Sequence, residues 1–204
     1  MTRLRDIISS DKHYALDYRA QDPNAHNNAY NLCWQLNQTN PRDTKKRRAL
    51  LEQLFGDAGD ELFVGANFQC DFGFNIHTTG LSLINSNVTI LDTSPVRLGN
   101  GVFLAPGVVI ACPQHALVME QRLNGISHSQ PITLADGVWV GANVTIMGGV
   151  TIGKGSVIGA GSVVTKDIPA GVIALGSPCK VLRPIRESDR IDESFITDVT
   201  GMPL

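Results

Sequence analysis

Residues 134–169 read LADGVW VGANVT IMGGVT IGKGSV IGAGSV VTKDIP, six sextets in unbroken succession. An aliphatic residue opens each one (Leu134, Val140, Ile146, Ile152, Ile158, Val164), and a small or β-branched residue stands four places on. A helix repeats every 3.6 residues and a strand every 2, so neither sustains a period of six. A chain that turns a corner at each sixth residue does. The opening aliphatics then face a common axis, and successive turns stack as parallel β-coils.

Upstream the same rhythm is looser. It runs through Val64, Cys70 and Ile76, reaches Ile84 and Ile90 after a two-residue slip, and tightens at Leu98, Leu104 and Ile110. There it stops until Leu134. Residues 111–133 (ACPQHALVMEQRLNGISHSQPIT) hold none of the repeat, and their polar and turn-forming residues predict a loop projecting from the coil. An insertion of this length inside a regular repeat is characteristic of function. Downstream, Pro169, Pro178 and Pro184 break the rhythm. The tail ESDRIDESFITDVTGMPL has no strong pattern; a cap over the open last coil and a frayed end are both open readings.

Residues 1–60 follow a helical grammar. Asp22-Pro23 reads as a cap and first turn, followed by Ala25, Ala29, Leu32, Cys33 and Leu36 at helical spacing. Pro41 is expected to open a second helix with Ala49, Leu50, Leu54 and Phe55 on its apolar side, and Gly56 to stop it. The run Lys45-Lys46-Arg47-Arg48 reads as a solvated helix face. The organisation expected is a helical lead-in over 1–60, a coil over 61–183 and a tail over 184–204.

Composition narrows the classes. The 204 residues are 43% hydrophobic and 18% charged, as in a single globular domain, and the net charge of -2 disfavours a nucleic-acid partner. Twenty glycines suit a chain of many corners. Cys33, Cys70, Cys112 and Cys179 form no C-x-x-C pair, and no apolar run has the length of a signal peptide or membrane helix. The expectation is a reduced, cytoplasmic protein with no membrane partner and no metal.

Several longer stretches carry a resemblance. CDFGFNIH (70–77), LAPGVVI (104–110), PITLADGVWVGANVTI (131–146) and VTKDIPAGVIALGSPCKV (164–181), with LNQTNP and RRALLEQLFG in the lead-in, are similar to the hexapeptide-repeat acyltransferases that O-acetylate maltose, galactosides and nodulation factors. The resemblance implies a mainly β fold, a left-handed parallel β-helix with an N-terminal helical segment. It also implies acetyl-CoA as co-substrate, a small hydroxylated, sugar-like acceptor, and a homotrimer whose subunits share the acceptor pocket and the CoA groove.

On that resemblance His115, in CPQHAL, is the expected general base. An imidazole with a pKa near ~6.5 can take the proton of a sugar hydroxyl as it attacks the thioester. The family's His-Pro pair is His115-Ala116 here. Cys112 reads as a small buried residue, since direct transfer needs no acyl-enzyme. His77 and His128 have weaker claims to a role, and His13 and His26 read as surface residues.

Asp71 and Asn85 match acceptor-binding positions, with Asp92 a weaker candidate and any contact from Asp17 or Asp22 left open. GLSLINSN, around Asn85, lacks the aromatic residues its relatives carry there. For the CoA arm the matching residues are Trp139, Ala142, Ala160, Thr165, Lys166, Lys180 and Arg183, the last three cations supplying charge for phosphates. Three other classes use similar coils. A xenobiotic acetyltransferase is disfavoured by the helical lead-in. A zinc hydrolyase needs three histidine ligands in a pattern His77, His115 and His128 do not follow. A non-catalytic scaffold has no need of His115 and the cations.

Overall fold

The computed structural model describes residues 4–20 and 23–200. Between Glu61 and Leu175 the chain winds as a left-handed parallel β-helix of about six turns. Three sheets form the sides of a prism. The first face stacks Glu61–Val64, Leu81–Ile84, Val102–Leu104, Trp139–Val140, Val157–Ile158 and Val172–Leu175. The second stacks Gln69–Cys70, Thr89–Leu91, Val109–Ala111, Thr145–Met147 and Val163–Val164. The third stacks Ile76–Thr78, Val96–Leu98, Ile132–Leu134 and Thr151–Ile152, extended by a bridge from Ile152 to Ile168.

Strand register explains the sextets. Val64, Ile84, Leu104, Val140, Ile158 and Ala174 lie rung on rung, as do Cys70, Ile90, Ile110, Ile146 and Val164. All of them are buried. The positions four residues beyond the openers, such as Val138, Val144, Val150, Ser156 and Ser162, are buried too. Each face thus puts two residues per turn into the core, and each Leu or Ile so buried contributes about 1.5–3 kcal/mol.

The corners show where the rhythm slips. Between the first and second faces, Asn67, Asn87, Gly107, Asn143 and Gly161 occupy one place in successive turns, all at φ between 56 and 74°. That left-handed conformation is open to Gly and tolerated by Asn, which is why those residue types recur. The corner between the second and third faces is irregular. The ladder partner of Leu98 and Leu134 on the first turn is Thr78, not Ile76, which pairs with Val96. Cys70 to Thr78 and Ile90 to Leu98 are therefore eight-residue steps, and the next passage through this corner is the long insertion. The slip assigned after Ile76 falls instead at Asp71–Asn75.

The ends also differ from expectation. Helix α1 spans Leu4–Ile8, α2 Pro23–Gln38 and α3 Thr44–Leu54. Asp22, read as the cap of α2, lies outside the described residues. Helix α3 starts at Thr44, not Pro41, because the Asp43 carboxylate caps it by accepting from the Lys46 amide. It ends at Leu54, with Phe55 already extended. Gly56 serves packing: a Cβ there would collide with the Phe74 carbonyl and the His77 ring.

Lys45 and Lys46 are solvated, whereas the next two residues of the basic run are structural. Arg47 donates to the carbonyls of Leu36 and Val64, and Arg48 to those of Ala58 and Gly59. Ala29, Cys33 and Leu36 of α2 and Leu50, Leu51 and Leu54 of α3 share one core with Val64, Phe68 and Cys70, closing the first turn of the coil. At the other end the coil continues past Pro169 to Leu175. Lys180–Pro184 then reverses and pairs antiparallel with Val172–Leu175, covering the open edge.

Candidate active site

The insertion is a built element. Ala111 belongs to the second face and Ile132 and Thr133 to the third, so the excursion runs from Cys112 to Pro131. Pro113–His115 and Ile126–Ser129 form an antiparallel hairpin across helix α4 (Met119–Leu123), and Tyr14–Asp17 of the lead-in adds a third strand.

Alternation sorts the side chains of this small sheet. Tyr14, Leu16, Ser127, Ser129, Pro113 and His115 share one side; Ala15, Asp17, Ile126, His128 and Gln114 share the other. The first side faces the coil, since the Tyr14 hydroxyl donates to the Thr93 carbonyl and Ser129 exchanges 2.7 Å hydrogen bonds with Thr93 and Ser94. His115 therefore stands on the coil-facing side, exposed and directly across the ladder from Ser127. Tyr18, one step beyond the lead-in strand, sets its ring edge-on to His115 at 5.5 Å between centroids. Among the described residues the imidazole makes no hydrogen bond or ion pair.

Three contacts tie the outer end of the hairpin to the lead-in. Arg19 forks onto the Asp17 carboxylate at 2.8 and 2.6 Å and donates to the Asn124 carbonyl at 2.6 Å. The Tyr18 amide donates to the Gly125 carbonyl at 2.9 Å. Gly125, at φ 79°, is packed so closely on Asp17 and Arg19 that a Cβ would overlap both. Asp17 is thus already engaged within the chain.

Below the hairpin, Asp71 and Asp92 lie on the same irregular corner. Asp92 is fully buried; its Oδ1 accepts from the amides of Asp71 (3.0 Å) and Phe72 (2.8 Å), and its Oδ2 from that of Asn75 (3.3 Å). Burial pushes its carboxyl up to about 7 against these donors. Asp92 is a staple for the corner below it rather than an acceptor contact. Asp71 is half-buried, and desolvation raises its pKa, with His26 opposing. His26, expected on the surface, packs its ring 4.3 Å from that of Phe72. Cys112 is buried, and desolvation pushes its thiol up, away from nucleophilic use.

The remaining candidates lie elsewhere on the prism. Asn85, Ala142 and Ala160 stand at the first corner, where Asn85 Oδ1 accepts from the Ser86 amide. Trp139 points outward from the first face, 52% exposed, in one rung column with Phe63, Leu83, Phe103 and Val157. The aromatic surface missing from GLSLINSN is thus present on the rungs either side of Leu83. Thr165 and Lys166 follow the last strand of the second face, at the hairpin's corner. Lys180 and Arg183 lie on the terminal strand beside the first face, with Arg183 held by Asp189 at 2.7 and 2.8 Å.

One chain therefore brings His115, Asp71, Thr165 and Lys166 to the second corner. It carries Asn85, Trp139, Ala142, Ala160, Lys180 and Arg183 on the first face and first corner, with the second face between the two groups. His77 is in neither group; it pairs with Asp57 on the third face.

Two family descriptions match this sequence. Residues 131–166 match "Bacterial transferase hexapeptide (six repeats)" and residues 16–59 match "Maltose acetyltransferase hexapeptide capping motif". A galactoside O-acetyltransferase of Escherichia coli is 39% identical over 159 residues, 78% of either chain. The chain belongs to the hexapeptide-repeat acetyltransferases. Solved structures agree: a maltose O-acetyltransferase from Clostridium difficile superposes with a TM-score of 0.85 at 36% identity, covering 91% of this chain and 99% of that one. A hexapeptide-repeat acetyltransferase of Vibrio cholerae, solved with acetyl coenzyme A, gives 0.84 at 32% identity, over 91% and 100%.

As a member of this acetyltransferase family the chain shows which site features the sequence alone did not disclose. Tyr18 and Ser127 flank His115, the first by its ring contact and the second across the ladder. Asn124-Gly125 between the polar run PQH and ISHS was the available signal, since that dipeptide marks a reversal.

Proposed function

We propose that this acetyltransferase moves the acetyl group of acetyl-CoA to a hydroxyl of a small sugar-like acceptor, with His115 as general base. The observation that carries the reading is the position of His115: coil-facing, exposed, beside a polar corner, in the one insertion of a coil whose relatives include galactoside and maltose O-acetyltransferases.

The steps follow from the groups available. An imidazole nitrogen of His115 accepts the proton of the acceptor hydroxyl as its oxygen attacks the thioester carbonyl carbon. The tetrahedral oxyanion collapses, the C–S bond breaks, and the imidazolium returns its proton to the departing CoA thiolate. Asp71 accepts hydrogen bonds from acceptor hydroxyls, and Asn85 offers both donor and acceptor. Trp139, Ala142 and Ala160 border the pantetheine path, while Thr165, Lys166, Lys180 and Arg183 approach the nucleotide end.

Because the two residue groups sit on different corners, the complete site is read as shared between subunits of a homotrimer: the second corner of one protomer meets the first face of the next. Exposure of Phe63 (57%), Phe103 (40%) and Trp139 (52%) in one column supports this, since so large an apolar strip calls for cover. The outward residues of the third face include His77 and Arg97, tied to Asp57 and Asp11, and suit solvent.

Thiol release from acetyl-CoA, measured over glycosides, nucleosides and amino alcohols, tests the reading. Sugar hydroxyls are expected to stimulate release, and His115→Ala to lower kcat by about 10²–10⁴-fold with its melting temperature unchanged. Equal release by His115→Ala removes the base assignment; turnover confined to amines removes the acceptor class.

A further inference from the structure

The side of the hairpin turned away from His115 carries two imidazoles that the proposed chemistry does not use. His13 precedes the lead-in strand and His128 lies on the hairpin's second strand; Ala15, the rung partner of His128, is too small to separate them. His13 Nε2 and His128 Nδ1 are 3.2 Å apart, with ring centroids at 5.2 Å and planes at 72°. Beside them opens a groove of about 390 Å³ lined by Ala15, Ala116, Val118, Gln121 and Ile126 as well as the two histidines.

Two nitrogens each about 2.0–2.1 Å from a tetrahedral ion stand about 3.3 Å apart, so the pair already has the spacing of two ligands on one metal. The two nitrogens face each other at hydrogen-bond distance beside the open groove, and neutral imidazole is the side chain that borderline divalent metals prefer. Among the described residues no third histidine, thiol or carboxylate joins them. The neighbouring carboxylate, Asp11, is committed to Arg97 at 2.6 Å. The open groove leaves the other coordination positions to water.

We infer that His13 and His128 form a surface site for a divalent transition metal of the zinc class, with two protein ligands. In the unloaded protein one ring donates its N–H to the other. On loading, the donating ring moves its proton to its other nitrogen by exchange with solvent, so both rings stay neutral, and the two facing nitrogens turn onto the metal. The ion ties the lead-in to the hairpin from its outer side, without a part in acetyl transfer.

Titrating the full-length chain with zinc chloride, followed by calorimetry and by thermal melting, tests this. Wild type is expected to bind one zinc per chain at this site and to melt higher with it, while magnesium chloride does neither. His13→Ala and His128→Ala are each expected to lose at least about tenfold in zinc affinity and the melting shift. Both variants keep metal-free acetyl transfer, which also reports that they are folded. His128→Gln, which retains a hydrogen-bonding side chain, is expected to match His128→Ala, and His77→Ala to match wild type. Zinc affinity unchanged in either His13→Ala or His128→Ala, or no saturable binding by wild type at millimolar zinc, overturns the assignment.

Discussion

Asp92 shows how one buried side chain can shape the corner beside a candidate site. Its carboxylate gathers three backbone amides of the turn below, in a fully buried corner. Its folded pKa, near 7, lies above the ordinary 3.8. Below pH about 4 the group is protonated in both states and its contribution is intact. As pH climbs, the unfolded chain releases the proton first, so stability falls by up to about 1.4 kcal/mol per pH unit until the folded group also titrates near 7. Asp92→Asn has no such titration. The stability of wild type relative to Asp92→Asn, measured by denaturant unfolding, should therefore decline from pH 4 to 7 and level off above; a difference constant with pH would contradict this.

On the proposed reading the hairpin, which carries His115, is the element on which function depends. Gly125 has a left-handed backbone and no room for a Cβ against the Asp17–Arg19 pair, so Gly125→Ala costs on the order of 1–3 kcal/mol of local strain. Because the hairpin projects from the coil, the loss should appear as at least about a tenfold fall in kcat, with the main unfolding transition little changed. A large drop in melting temperature with kcat retained would show instead that the hairpin is integral to the core.

The same element marks what sequence could and could not disclose. The coil was legible from Leu134 to Val164 because each sextet opener is a buried rung. The corner at Asp71–Asn75 was misread because Thr78, a polar residue, fills a rung there. His115 stood out as the histidine in the gap, but Tyr18 reaches it because the lead-in strand pairs with residues more than a hundred positions away, which no local pattern encodes. Arg47 and Arg48 were hidden for the opposite reason: a basic run looks solvated, although two of its members tie carbonyls together.

At the scale of the molecule, the prism separates what the proposed chemistry must unite. His115 and Asp71 occupy the second corner; Asn85, Trp139, Ala142 and Ala160 occupy the first corner and first face. The proposed trimer resolves this by letting each subunit contribute half of every site. Complementation tests that claim most directly. His115→Ala damages only the second-corner half and Ala142→Trp only the first-corner half, so each pure variant should be inactive. Unfolded together and refolded as an equal mixture, they should regain activity at about a quarter of the sites, those pairing the two intact halves. A mixture as inactive as its components, although trimers of both chains have formed, would contradict a site shared between subunits.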